Sequence, residues 1–436
     1  MKAPQATVRP RVVSLFSGAG GLDLGLERAG FQVLAQVELD RDCAETLRLN
    51  SRRRTQKPVV METTVGAVDA AELLATLGLR VGELELLAGG PPCQAFTTTG
   101  RRRALQDERG SVVHDYLRLL RGLSPQYFLM ENVTGFFSAA LRHRALVERG
   151  PGNPALGAEE QKGSVFTWFL SELLAAGYTV CWGALDAVDF GVPQFRQRAF
   201  LIGSRSERPV FLPRATHFDD PAARERTRWQ TLADAFAGLK DDAPLIQPLS
   251  EFTASVFRHV PAGANWRALS PELREQTMGR AFLAEGGKGG WWRRLAWDRP
   301  SPTILTMPDH SSTGLIHPEE TRCLTVRECA RCQTFPDTWR FAGSSRSQYR
   351  QIGNAVPVGL AWQLGLQVKR HMDGRPLVVP APPVWRQASA NQRLGTWGWA
   401  MPRNGKPEMH VLNRRDDHVC LGEPVQLRLT EVAAQG

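Results

Sequence analysis

An apolar run at residues 84–88 is followed at once by Gly89-Gly90-Pro91-Pro92-Cys93. The run is typical of a short buried strand, and the glycines and prolines end it. Two consecutive prolines restrict the backbone and remove two N–H donors, so this segment cannot continue a sheet. Cys93 is thereby placed beyond the carboxyl end of a strand, where open α/β sheets carry their ligands. A free cysteine is more often a small buried hydrophobe, so the neighbouring motifs must decide its role.

Short apolar runs alternate with helical patterns through the first 200 residues. Strands are predicted at 11–16, 33–39, 59–60, 84–88, 127–130, 178–182 and 199–203, and helices at 22–29, 111–123 and 165–176. This alternation predicts an α/β fold with a doubly wound sheet. From Ser204 to Trp297 the pattern weakens and Pro, Gly and Trp interrupt the chain, which predicts a smaller irregular domain. The predicted segments are 1–203, 204–300, 301–372 and a C-terminal extension, 373–436, whose role the sequence does not indicate.

Charge and hydropathy limit the partners and the compartment. The 436 residues carry a formal net charge of +10, which favours a polyanionic partner. No apolar run approaches the length of a membrane span, and the N-terminus lacks the apolar centre of a secretory signal. The seven cysteines are scattered, unlike a secreted disulfide framework. We therefore expect a cytoplasmic protein.

A structural zinc site must be considered because Cys329 and Cys332 form a C-x-x-C pair, with Cys323 and His317 upstream. The pair lies in a stretch, 324–332, that predicts a helix and not a zinc knuckle. Structural zinc sites prefer other ligand spacings. We predict no metal site.

The first strand leads into a glycine turn, Ser17-Gly18-Ala19-Gly20-Gly21, and then a helix. Glycines there let the backbone approach a nucleotide closely. Such a turn could serve NAD, FAD or S-adenosylmethionine. Glu38, at the tip of the second strand, suits the two hydroxyls of a ribose.

Polar residues follow two other predicted strands. Glu131 and Asn132 come directly after the strand at 127–130, at the same sheet edge as Cys93. Gln194, Arg196 and Arg198 alternate and are predicted to form one wall of donors. An ion-pair ladder on an exposed sheet is the alternative for these three residues.

Together, these motifs resemble the cytosine-C5 DNA methyltransferase family of bacterial restriction-modification systems. The resemblance rests on Phe16-x-Gly18-x-Gly20-Gly21, Pro91-Pro92-Cys93-Gln94, Glu131-Asn132-Val133, Gln194-x-Arg196-x-Arg198 and Gly353-Asn354-x-Val356-Pro357, with Arg299-Pro300-Ser301-Pro302-Thr303 similar to the ninth motif. It covers 11–368 except the irregular segment. It implies a Rossmann-like, S-adenosylmethionine-dependent catalytic domain in 1–203 and 301–372. Segment 204–300 would be an inserted target recognition domain.

The resemblance also implies a mechanism. Cys93 would add to carbon 6 of a cytosine, which makes carbon 5 nucleophilic enough to take a methyl group. Glu131 would hold and protonate ring nitrogen 3, while Arg196 and Arg198 grip the carbonyl oxygen. Because a base inside a duplex is unreachable, the cytosine would be flipped out.

Further contacts are implied residue by residue. S-adenosylmethionine would contact Phe16, Gly18, Gly20, Gly21, Glu38, Pro92 and Asn354. The flipped base and its strand would contact Gln94, Thr97, Thr99, Asn132 and Gln194, with the loop continuing through 101–103. Lys288, Trp291, Arg293 and Arg294 are candidate DNA contacts, or alternatively phosphate clamps and core residues. One position departs from the family: Thr64 stands where an adenine-binding Asp is usual, and Asp69 could substitute.

The expected partner is double-stranded DNA. The enzyme either protects DNA against a restriction nuclease that acts on the same site without direct contact, or acts alone, and the sequence does not distinguish the two. We expect a monomer associated with the bacterial nucleoid. Transfer RNA is the alternative substrate, but segment 204–300 is longer than the compact recognition segment of that branch. A non-catalytic relative would lack Cys93 or Glu131. A dinucleotide-dependent oxidoreductase leaves Pro-Pro-Cys-Gln unexplained, and the Pro-Pro-aromatic loop of amino-methylating enzymes is absent.

Overall fold

The computed structural model describes 9–92 except 53 and 55, 111–206, 208–219, 227–279, 290–312 and 314–375, and the backbone of 398–403 and 406–411. Cys93, Gln94, Thr97, Thr99, the arginines at 101–103 and Lys288 lie outside the described residues.

In the described part of the chain, nine strands form a single sheet. They are β1 (Arg11–Leu15), β2 (Gln32–Glu38), β3 (Val59–Glu62), β4 (Leu86–Gly89), β5 (Tyr127–Asn132), β6 (Thr179–Asp186), β7 (Gln197–Ser204), β8 (Gly398–Arg403) and β9 (Lys406–Val411), in the order β3-β2-β1-β4-β5-β7-β6-β8-β9. The first five are parallel, and β7 pairs antiparallel with β5 and β6. The strand order reverses at β1, which is the point where doubly wound sheets bind ligands.

Helices cover both faces of the sheet. They are α1 (Gly21–Arg28), α2 (Arg41–Ser51), α3 (Ala70–Leu77), α4 (Ser111–Leu123), α5 (Ser164–Ala175), α6 (Leu232–Phe236), α7 (Glu251–Phe257), α8 (Pro271–Met278), α9 (Val326–Cys332), α10 (Ser345–Asn354) and α11 (Val358–Met372). Among the helices described, none combines the length and apolar character needed to span a bilayer.

Alternation along the buried strands divides the core into two layers. In β1, Val13 and Leu15 pack on the face that carries α3, α4 and α5, whereas Val12 packs on the face that carries α1 and α11. This follows from successive side chains of a strand pointing to opposite faces. A parallel sheet covered on both sides requires such apolar strands. The predicted doubly wound α/β fold is confirmed.

A separate apolar cluster lies in the irregular part of the chain. It includes Val256, Phe257 and Trp292, and also Ile316 and Cys323, which lie beyond the predicted boundary at residue 300. The packing therefore does not follow that boundary, and the division into domains stays a prediction.

The C-x-x-C pair lies on α9, as the helical pattern predicts, with both Cys329 and Cys332 fully buried. Burial raises the pKa of both thiols. Across the described ranges, no group of three or more His, Cys, Asp or Glu side chains is arranged to hold a metal ion.

Candidate active site

The glycine turn after β1 is bonded to the end of β2. The Gly18 N–H donates to Glu38 Oε2 at 2.7 Å, and the Ser17 N–H donates to the Val37 carbonyl at 3.1 Å. Phe16 and Gly18 both have φ of 54°. That conformation costs a non-glycine residue about 1 kcal/mol or more, so the surrounding contacts must hold Phe16 in place. A methyl group built on Gly18 would meet no atom within 4 Å, so the turn has open space there.

Glu38 is held with its carboxylate beside that open space. Its two oxygens accept the Gly18 N–H and the Asp40 N–H, both at 2.7 Å. Burial raises the pKa of Glu38, while these backbone hydrogen bonds oppose the rise. A carboxylate retains acceptor capacity beyond two bonds. Glu38 and the Gly18 turn therefore fit a nucleoside cofactor whose ribose hydroxyls need acceptors.

Gly20 and Gly21, both predicted to contact the cofactor, allow close packing within the protein. A methyl group on Gly20 would lie 3.0 Å from the Trp339 ring, and one on Gly21 would lie 2.3 Å from the Val356 carbonyl oxygen. The side that lacks a Cβ faces protein in both cases. Both glycines therefore admit the segment around Trp339 and the Val356 backbone, and their contact with the cofactor stays a prediction.

Asn132 joins the end of β5 to the Pro-Pro turn. The side chain is buried, its Nδ2 donates to the Pro91 carbonyl at 3.2 Å, and its Oδ1 accepts the Val133 N–H at 2.8 Å. Substrate contact was predicted for Asn132, but its buried amide is used within the protein. It positions the segment that leads to Cys93, with Pro91 buried and Pro92 exposed.

Glu131 and Arg198 form an ion pair at the carboxyl edge of the parallel strands. Arg198 Nε lies 3.2 Å from Glu131 Oε1, and both side chains are largely buried. Burial raises the pKa of Glu131, and the positive charges of Arg198 and Arg196 oppose that rise. The result is a carboxyl group that can carry a proton beside a cation that stabilises its charged form.

Gln194 is a buried connector and not part of a donor wall. Its Nε2 donates to the Cys332 carbonyl at 3.3 Å and to Gln333 Oε1 at 3.1 Å, and its Oε1 accepts the Ile304 N–H at 2.9 Å. The predicted alternation fails because β7 begins only at Gln197. Gln194 therefore cannot contact a substrate from this position, and its predicted role is corrected.

Arg196 is also directed into the protein. Its Nη1 donates to the Ile304 carbonyl at 3.1 Å and its Nη2 to the Gly353 carbonyl at 2.8 Å, in a site only 2% exposed. Burial lowers the pKa of Arg196, and the charge of Glu131 opposes this. The predicted grip on a base oxygen is therefore corrected to a clamp that joins Gly353 and Ile304 to the residue just before β7 and influences Glu131 through charge.

The remaining cofactor predictions lie on exposed positions. Asn354 is exposed at the end of α10, directly after the clamped Gly353. Thr64 Oγ1 accepts the Ala67 N–H at 3.2 Å, and Asp69 Oδ1 caps α3. Both are exposed helix caps, and whether either of them contacts adenine stays a prediction.

Arg294 was a candidate DNA contact but is buried in the irregular segment. Its guanidinium donates to the carbonyls of Phe257, Val260, His317 and Glu320 and to Thr321 Oγ1. Five acceptors occupy it, so this prediction is corrected to a structural role. The half-buried Arg293 has no hydrogen bond or ion pair with the residues that the structure describes, and its Nε is buried without a partner.

Trp339 was not predicted from the sequence. Its indole Nε1 donates to the Ala19 carbonyl at 3.1 Å. A residue 320 positions later in the chain therefore supports the glycine turn. No local pattern indicates this contact. The absence of a side chain on Gly20 was the one available signal that a large group approaches there.

Comparisons with known proteins agree with this geometry. The sequence model of the C-5 cytosine-specific DNA methylase family matches residues 10–370. Type II methyltransferase M.Sau96I of Staphylococcus aureus is 33% identical over 368 residues, 83% of this chain and 76% of that protein. Type II methyltransferase M.Eco47II of Escherichia coli is 35% identical over 368 residues, 83% of this chain and 79% of that protein.

A solved structure of a candidate DNA modification methyltransferase encoded within an E. coli prophage has the same fold. The TM-score is 0.55 at 24% identity, over 84% of this chain and 99% of that one. The matching family acts on DNA, which disfavours the transfer RNA alternative. The chain therefore belongs to the C-5 cytosine-specific DNA methylase family and is a DNA cytosine methyltransferase.

Proposed function

We propose that this enzyme methylates carbon 5 of a cytosine that has been rotated out of duplex DNA, with Cys93 adding transiently to carbon 6. The observation that carries the proposal is the Glu131–Arg198 ion pair beside the turn that leads to Cys93. A thiolate is the side-chain nucleophile best suited to this addition near neutral pH.

Glu131 acts as the acid at ring nitrogen 3. Addition of a thiolate to carbon 6 moves negative charge into the ring, and a proton at nitrogen 3 prevents that charge from building up. A carboxyl group with a raised pKa holds such a proton closer to neutral pH than a free Glu does.

Arg198 faces the same reacting ring. Its ion pair fixes Glu131, and its guanidinium supplies positive potential where the carbonyl oxygen gains charge. Arg196 acts indirectly, since its donors are occupied by the carbonyls of Ile304 and Gly353.

Phe16, Gly18, Glu38, Pro92 and Asn354 would hold S-adenosylmethionine. When bound, this cofactor supplies an electrophilic methyl group at the sheet edge that Glu131 and Pro91 share. Glu38 would accept the ribose hydroxyls, Gly18 leaves open space for the methionine part, and Phe16 would stack on the adenine.

The biological role we propose is protection of DNA in a restriction-modification system. Relatives at 33% and 35% identity are Type II methyltransferases. The net charge of +10 supports binding to the phosphate backbone and to the nucleoid. Segment 204–300 would recognise the target bases in the major groove.

Bisulfite sequencing of plasmid DNA from cells that express the protein tests the proposal, with Cys93→Ser as the control. We expect protected cytosines at one short recurring site and none with the variant. Equal protection with the variant would disprove the role of Cys93. No protection with the intact protein would contradict the proposed reaction on DNA.

A further inference from the structure

Two polar side chains interrupt the centre of the apolar sheet. Ser14 of β1 and Gln36 of β2 are register partners, and both are buried completely or almost so. Central strands of a parallel sheet are normally a continuous apolar run. Polar groups at such positions are costly unless they are hydrogen-bonded, so their partner requires an explanation.

The partner is Asp23, in the first turn of α1 and 0% exposed. Gln36 Nε2 donates to Asp23 Oδ2 at 2.5 Å, and Ser14 lies beside Gln36 as its register partner. Burial raises the pKa of Asp23, and the Ser14 and Gln36 side chains oppose that rise. Ser14 Oγ in turn accepts the Ser17 hydroxyl at 3.0 Å. Asp23, Gln36, Ser14 and Ser17 therefore form one contiguous buried polar network, in which Asp23 bonds to Gln36, Gln36 lies beside Ser14, and Ser14 bonds to Ser17.

Ser17 lies between the two left-handed residues of the cofactor turn, Phe16 and Gly18. Besides its hydroxyl, its N–H donates to the Val37 carbonyl, and the next N–H, from Gly18, reaches Glu38. A strained residue keeps its conformation only where its surroundings over-determine it. The network that ends on Ser17 supplies that constraint from beneath the turn.

We propose that Asp23 is a positioning residue for the cofactor, acting through Ser14 and Ser17 to hold Phe16 and the Gly18 N–H in their binding conformation. This rests on the proposed function, because it assumes that S-adenosylmethionine binds the turn. Asp23 does not touch the cofactor in this arrangement, since it is enclosed beneath the turn. Its removal weakens cofactor binding by releasing the turn.

The test measures the Kd of S-adenosylhomocysteine by calorimetry and the Tm of the unliganded protein. Asp23→Ala is expected to raise Kd about tenfold, the size of effect given by buried groups left unsatisfied. Ser14→Ala breaks the same path and should raise Kd similarly. The Kd of the double variant should not exceed the higher Kd of the two single variants, because both changes break the same connection. Asp23→Asn, which still accepts from Gln36, should retain most of the affinity.

Glu27→Gln provides the matched control on the same helix. Glu27 is half-buried one turn further along α1 and is ion-paired with Arg54 at 2.7 Å, outside the network. The Glu27→Gln variant should have a lower Tm and an unchanged Kd.

An unchanged Kd in both Asp23→Ala and Ser14→Ala, or additive effects in the double variant, would overturn the positioning role. If Asp23→Ala does not fold, Ser14→Ala and Asp23→Asn decide the question. Failure of the unaltered protein to bind S-adenosylhomocysteine would instead refute the proposed function.

Discussion

A methyl group added to Gly90 would lie 2.9 Å from Oε2 of Glu131, so the Pro-Pro turn and the buried acid are in contact with no room for a side chain. This explains why a glycine precedes the two prolines. The backbone that leads to Cys93 therefore packs directly against the acid of β5.

Gly90→Ala is therefore expected to lower turnover at least tenfold, because the new methyl group displaces Glu131 or the turn. Steady-state methylation with tritiated cofactor measures this. Gly78→Ala is a control for added bulk, since a methyl group there meets nothing within 4 Å; its φ of 64° should lower stability by about 1 kcal/mol without affecting the distant site. Full activity in Gly90→Ala would show that the contact is unimportant.

Glu131→Gln should reduce turnover about 10²- to 10⁴-fold, the usual contribution of a positioned acid. Burial raises the pKa of Glu131, so the unaltered enzyme should lose activity as pH rises through that pKa and the acid form disappears. The variant cannot titrate and should lack this alkaline decline. A pH profile of kcat/KM measures both effects. An identical decline in the variant would assign it to another group.

Arg196→Met and Arg198→Met should separate stability from catalysis. Loss of Arg196 leaves the carbonyls of Ile304 and Gly353 without their donors, so the free energy of unfolding should fall by about 1–3 kcal/mol. Loss of Arg198 should lower turnover about 10²- to 10³-fold with a small change in unfolding. Denaturant unfolding and single-turnover rates distinguish the two. The reverse pattern would show that Arg196 serves catalysis and that Arg198 serves stability.

Arg293 and Arg294 offer a second matched pair. Arg294→Met should destabilise the irregular segment, because it removes the donors for five buried or partly buried acceptors. Arg293→Met should preserve stability and weaken DNA binding, reducing the salt slope by about 1 if it contacts one phosphate. Fluorescence anisotropy across a salt series measures this. An unchanged slope and affinity would exclude Arg293 from the DNA interface.

Removal of 376–436 should promote self-association. The β8–β9 hairpin pairs with β6, so its loss leaves β6 as an open sheet edge with unpaired backbone groups. Methylation should persist, because the family match ends at residue 370. Light scattering after size exclusion measures the mass as a function of concentration. A truncated protein that behaves like the intact chain would show that the hairpin does not protect this edge.

The sequence by itself determined the order of the first seven strands and the edge of the sheet that carries the site. Apolar runs of strand length, helical periodicity and glycine or proline stops are local signals, and the helix predicted at 111–123 is found at Ser111–Leu123. Parallel strands then bring Phe16, Glu38 and Glu131 to one edge without further information.

Only the tertiary structure decided which polar side chains face that edge and which support it from within. Gln194 and Arg196 belong to the same short motif as Arg198, yet they bond to Ile304, Gly353 and Gln333, more than a hundred residues away. Gly21 and Asn132 are likewise used within the protein. A buried donor or acceptor takes whichever partner the fold brings within hydrogen-bonding distance, and that partner is not encoded in the local spacing.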